Sequence, residues 1–176
     1  MDLGPVDRIT ADAVGEPGAR TFYIQARAGD QLLTVIVEKQ QVQLLAASVL
    51  ELLQEASATE AATDDAAMAL EGPLDPRWRA GRLSIGFDEE RDLFLLEVEE
   101  FQPDLDDLDV DDPPTMLPET EPESIRIWAS PAQMLALSRH GAAVAARGRP
   151  TCQFCGNPID AEGHTCPAMN GHSKRD

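Results

Sequence analysis

The chain has 176 residues, 43% of them hydrophobic and 26% charged, enough for one domain with a core of its own plus appendages. Its 32 acidic against 14 basic residues leave a formal charge of −18, a field that repels phosphate backbones and anionic bilayers and so disfavours bulk nucleic-acid and membrane-surface binding. The N-terminus has no basic stretch followed by an apolar run, and the longest apolar runs, such as Leu93–Leu96, are far too short to span a bilayer, so the expected location is the cytoplasm.

Val6–Thr10 is expected as a short first strand, closed by a turn at Gly15-Glu-Pro-Gly18. Arg20–Ala28 alternates, with Phe22, Ile24 and Ala26 on one face and Thr21, Tyr23, Gln25 and Arg27 on the other; Leu32–Glu38 returns as its hairpin partner. The period then changes. Val42, Leu45, Val49, Leu52, Leu53 and Ala56 line one face of an amphipathic helix over Gln40–Ala56. Ala56–Asp75, rich in Ala, Thr and acids, reads as a loop with a frayed helical end.

The second half repeats this grammar. Gly81–Phe87 is a strand with Leu83, Ile85 and Phe87 on one face, Leu93–Phe101 returns, and Ser124–Trp128 is a third strand. Ser130 at N-cap, Pro131 at N1 and Gln133 at N3 form a capping box that opens a second helix, with Met134, Leu137, Gly141 and Val144 along one side, ended at Gly148-Arg149-Pro150. The fold class is therefore α+β: a mostly antiparallel sheet from two strand-rich halves, each ending in a helix, followed by a small C-terminal tail. Residues 1–149 form the α+β domain and 150–176 the tail. Within the domain, 102–123 is an insert with nine acids, five prolines and no basic residue, a composition that favours disorder. Its Leu105, Leu108, Val110, Met116 and Leu117 are the anchors that docking to a basic partner would use.

If the helices cover the apolar strand faces, the opposite face carries Tyr23, Arg27, Arg82, Arg126 and Trp128, with Gln25 and Ser84. Arginine forks bind phosphate or carboxylate and aromatic rings stack bases, so this is a candidate face for a small anionic ligand or single-stranded nucleic acid. The competing reading is a solvated face whose arginines pair with Glu97 and Glu99. Catalytic signals are weak: there is no Gly-rich phosphate loop, G-x-S-x-G or H-E-x-x-H, and Asp111/Asp112 lie in the insert. His140 is read as a surface or packing residue away from any evident partner. No catalytic residue is singled out.

All three cysteines and two of the three histidines fall in Cys152–His172. Cys152-x2-Cys155-Gly156 is a zinc-knuckle half-site, in which two thiolates can hold one ion from a tight turn that glycine permits. A structural zinc takes four N/S ligands, so Cys166 joins and a histidine completes the set. Cys152, Cys155, His164 and Cys166 give C-x2-C-x8-H-x-C, while His172 as alternative gives C-x2-C-x10-C-x5-H. A redox pair is less consistent with the Gly-Asn-Pro turn that follows, and a disulfide would leave one cysteine over.

This tail resembles that of a conserved actinobacterial family of unknown function whose members end in C-x-x-C-G-x-P-[IL]-D-x-x-G-H-x-C-P-x-x-N-G. The matching residues are Cys152, Cys155, Gly156, Pro158, Ile159, Asp160, Gly163, His164, Cys166, Pro167, Asn170 and Gly171. The resemblance extends upstream through Glu38–Gln41 and Trp78-Arg79-x-Gly81. It implies a cytosolic bacterial protein and supplies no activity. The sequence as a whole reads as a cytosolic zinc-binding adaptor or regulatory protein, with one structural Zn2+ and another protein as partner, rather than an enzyme. The alternatives are a binder of a small anion or single strand on the arginine/aromatic face, and an uncharacterised enzyme.

Overall fold

The structure is a computed structural model and describes residues 1–55, 65–103, 121–148, 152–157, 159, 163 and 166–167. In chain order the elements are β1 (Asp2–Leu3), β2 (Arg8–Val14), β3 (Thr21–Ala28), β4 (Gln31–Val37), α1 (Lys39–Glu55), α2 (Asp65–Met68), β5 (Ala80–Asp88), β6 (Leu93–Glu100), β7 (Ser124–Ala129) and α3 (Pro131–Ala146). The chain is α+β, and its strands are mostly antiparallel. They divide into two sheets rather than one: β2-β3-β4, and β1-β7-β6-β5. A single parallel bridge, Ile36 to Arg79, joins the edge of the first sheet to the approach of β5.

Register explains how both sheets bury one face. In the four-stranded sheet, Leu83, Val98 and Ile125 form one cross-strand row, Ile85, Leu96 and Ile127 the next, and Phe87, Phe94 and Ala129 the third. On β6 and β7 these residues are completely or almost completely buried, while on β5 they are half-buried. The three-stranded sheet contributes Ile9, Ala11, Ile24, Ala26, Leu33 and Val35. The helix α1 adds Val42, Leu45, Val49 and Leu53 from the expected stripe, and α3 adds Met134, Leu137 and Val144, so that one continuous core forms. The capping box of α3 is present in both directions: Ser130 Oγ accepts from the Gln133 N–H, and Gln133 Oε1 accepts from the Ser130 N–H.

Two features lie outside the expected pattern. The first strand begins at Arg8 rather than Val6, and the residues before it form β1, parallel to β7 with Asp2 opposite Arg126 and Leu3 opposite Ile127. Gly4 makes this path feasible: its φ is +127°, and a Cβ there would lie 2.7 Å from the Trp128 carbonyl. The second concerns Ala56–Asp75, read as a loop. Residues 56–64 lie outside the described ones, but α2 and the segment after it dock on the outer face of the three-stranded sheet. Met68 is buried, and its carbonyl accepts from Thr10 Oγ1 at 2.5 Å.

Candidate metal centre and the arginine-bearing faces

Residues 152–157 form a turn at Cys152. The Gly156 N–H donates to the Cys152 carbonyl at 2.8 Å, and the Cys152 N–H donates to the Asn157 carbonyl at 2.8 Å, closing the tight turn that the C-x2-C-G spacing predicts. Gly156 sits at φ +74°, in the left-handed region that closes such turns at no cost to glycine. The turn brings the Cys152 and Cys155 thiols together, and the Cys166 thiol joins them. The three sulfurs lie within 4.8 Å of one another. Cys152 and Cys166 are buried and Cys155 is half-buried.

The Cys152 and Cys166 sulfurs are 3.8 Å apart. That is far beyond the roughly 2.05 Å of a disulfide. It matches the edge of a tetrahedron with metal–sulfur bonds of about 2.3 Å, which is about 3.8 Å. Electrostatics favour the thiolate at one vertex. The backbone N–H groups of Phe154 and Cys155 point at the Cys152 sulfur and lower its pKa to about 7. Cys155 moves the other way: the Asn157 N–H pulls its pKa down, but burial and the two neighbouring sulfurs outweigh this and raise it. Crowded thiols of this kind need a cation to ionise together, so the donor set fits a soft metal ion. His164 and His172, the two alternatives for a fourth ligand, lie outside the described residues.

The five residues of the arginine/aromatic face do not come together. Arg82, Arg126 and Trp128 share the outer face of the four-stranded sheet, whereas Tyr23 and Arg27 belong to β3 in the other sheet. On the four-stranded sheet, glutamates interleave. Arg82 stands opposite Glu99, and Arg126 stands opposite Glu97 and donates to its Oε1 at 3.1 Å. Trp128 Nε1 donates to Asp2 Oδ1 at 2.9 Å, and the Arg91 guanidinium stacks 5.2 Å from its ring centre.

Arg27 has a different task. With Arg8, Thr10, Gln25 and Thr34 it forms a polar clamp on the segment ending at Glu71. Arg27 Nε donates to both Glu71 carboxylate oxygens, at 3.2 and 3.1 Å, and its second nitrogen pairs with Oε2. Arg8 donates to Glu71 Oε1 at 3.0 Å and to the carbonyls of Ala67 and Ala69. The Gln25 amide accepts from the Glu71 N–H at 2.8 Å and donates to the Glu71 carbonyl at 3.0 Å, as a neighbouring strand would. Hydrogen bonding to Arg27 lowers the pKa of Glu71 and raises that of Arg27. This clamp was not legible in the sequence. Its one trace is a glutamine alternating with arginine on a strand, which reads equally as a solvated face. His140, read as away from any partner, is buried, and its Nε2 lies 3.6 Å from Asp12 Oδ2 on β2.

Among the described residues, no helix is long and apolar enough to cross a membrane. No curated protein and no solved structure matches the chain. One family model covers residues 1–166, which takes in both sheets, both long helices and all three clustered cysteines, and the chain belongs to that family, described as "Protein of unknown function (DUF3090)".

Proposed function

We propose that the protein is a cytosolic zinc-binding adaptor or regulatory protein that acts by contacting another protein, with its C-terminal segment folded by one structural Zn2+. The observation that carries this reading is the gathering of every cysteine into one cluster with a sulfur–sulfur edge of 3.8 Å. We assign the fourth ligand to His164. It follows Gly163, whose φ is +92°, and it falls inside the span of the family match, which ends at residue 166 and leaves His172 out. Three thiolates and one imidazole fill the tetrahedron and leave no position for a reacting water, so the ion holds structure and is not an active centre. The adaptor role draws on the acidic insert at 102–123, whose apolar anchors suit a basic partner; residues 104–120 of it lie outside the described ones. Arg27 and Arg126 direct their guanidinium groups at Glu71 and Glu97, which weighs against a small-anion or single-strand site there.

Protein purified under reducing conditions without chelator should carry one zinc per chain by elemental mass spectrometry. Cys152→Ser, Cys155→Ser and Cys166→Ser should each lose it, as should His164→Ala, while His172→Ala keeps it. Structural zinc contributes about 10–16 kcal/mol to small finger domains. Chelation should therefore unfold 150–176 and leave the upstream core folded, read as amide exchange confined to the tail. Metal-free wild-type protein would overturn the zinc reading. A pull-down from native lysate with no stoichiometric protein partner would overturn the adaptor role.

A further inference from the structure

The strand β5 is an edge of the four-stranded sheet. Among the described residues its outer side is covered only at the start. Gln41 Nε2 reaches from α1 to the carbonyls of Ala80 and Gly81, at 3.4 and 2.9 Å. Beyond Gly81 no described strand pairs with it. A cleft of about 250 Å3 runs along this open edge, lined on α1 by Leu44, Leu45 and Ser48 and on β5 by Leu83 and Ile85. Leu44 is 61% exposed there. Edge strands are normally blunted by charge, proline or a covering element, because their free N–H and C=O groups recruit other strands. Over Arg82–Phe87 this edge carries one charged residue, Arg82, which is exposed and makes no ion pair among the described residues.

Self-complementarity identifies the occupant. An antiparallel pairing of β5 with itself, centred on Ile85, sets Arg82 opposite the partner's Asp88, Ser84 opposite the partner's Gly86, Leu83 opposite the partner's Phe87 and Ile85 opposite the partner's Ile85. Arg82 then meets the partner's Asp88, which in its own chain lies 3.7 Å from Arg91, twice by symmetry, on the outer face. The apolar row falls on the other face, and its Leu83 and Ile85 also line the cleft. Other registers within β5 lose this match: centring on Ser84, a shift of two residues, sets Arg82 opposite the partner's Gly86. We propose that β5 is an interface between two copies of this chain, joined antiparallel about Ile85 into one continuous sheet across a two-fold axis. The contact is isologous and closes on itself, so it yields a dimer and not a filament. It does not depend on the metal centre.

Light scattering on the whole, metal-loaded chain at micromolar concentration should give twice the 19.1 kDa monomer mass. Arg82→Glu turns both cross-strand pairs repulsive and should weaken the dimer about tenfold or more. Adding Asp88→Arg to that variant should restore it. Because two chains of charge −18 repel at long range, the dimer should tighten as salt is added, the opposite of a complex with a basic peptide. Asp88 also accepts turn hydrogen bonds from the Glu90 and Arg91 N–H groups, so the double variant could lose its fold. A readout on the wild type therefore stands beside it: amide protection over Arg82–Asp88 should rise with protein concentration. A monomeric wild type, a dimer indifferent to Arg82→Glu, or concentration-independent protection would each overturn the assignment.

Discussion

A Cβ added at Gly141 would come within 3.0 Å of Val42 Cγ1 and 3.3 Å of the Ala11 Cβ, because α3, α1 and β2 meet at this point. The glycine lets three elements approach without a side chain between them. Alanine there sets better helix propensity against tight contact, and the balance depends on how far Val42 yields. A larger residue has no such latitude. Gly141→Leu should destabilise the fold by about 1–3 kcal/mol through overpacking, measured as a lower urea midpoint at unchanged slope. Unchanged stability would mean that the helices separate there at little cost. The stripe from Met134 to Val144 identifies Gly141 as core-facing from spacing alone. That its neighbours are Val42 and Ala11 depends on pairings across about a hundred residues of sequence or more.

The clamp on Glu71 works at the level of elements, tying α2 and the segment after it to the three-stranded sheet. Its pH dependence follows from the direction of the shift. The folded pKa of Glu71 lies below its ordinary value of 4.5, so the ionised form is favoured by the fold. The stabilisation is complete above the unfolded pKa and is lost as pH falls through the lower, folded one. Glu71→Gln should thus lower the melting temperature by a few degrees near neutrality. The gap to wild type should close as the pH falls below the ordinary glutamate range. A gap that persists at that acidity would show that the backbone contacts of Gln25 and Arg8, and not the carboxylate, hold the segment. The contrast with α3 is instructive. Its cap is written in four consecutive residues and is legible directly, whereas the clamp joins β2, β3 and β4 to a segment roughly forty to sixty residues away and leaves no local signature.

At the scale of the whole molecule, the described residues that flank 104–120 meet at a narrow neck. The Glu100 N–H donates to the Glu123 carbonyl at 2.8 Å, and the Phe101 N–H donates to the Arg79 carbonyl at 2.8 Å. Arg77 Nε donates to Glu123 Oε2 at 2.8 Å, and hydrogen bonding to Arg77 and Trp78 lowers the pKa of that carboxyl. The described residues on either side are thus tied to each other and to the fold. Replacing 104–120 by a short Gly/Ser linker should cost little stability, because loop-closure entropy changes by only about 0.6 kcal/mol per doubling of length. The thermal midpoint should stay within a few degrees of wild type, and the mass measured by light scattering should stay at that of two chains. An unfolded product would show that the excised residues pack as part of the core.

The sequence by itself determined what short-range physics encodes. Alternation at period two marks the strands from Thr21 to Ala129, the 3.6-residue stripe marks α1, Ser130 to Gln133 start α3, and C-x2-C-G forms the knuckle turn. Each of these depends on neighbours within a few residues, so a pattern along the chain suffices. The tertiary structure alone decided the division into two sheets, the parallel pairing of Asp2 with Arg126, the burial of Gln25 beneath Glu71, and the separation of Arg27 from Arg82 and Arg126. These depend on which distant strands pair and in what register. A polar residue on a strand looks the same in sequence whether water or another segment of the chain covers it.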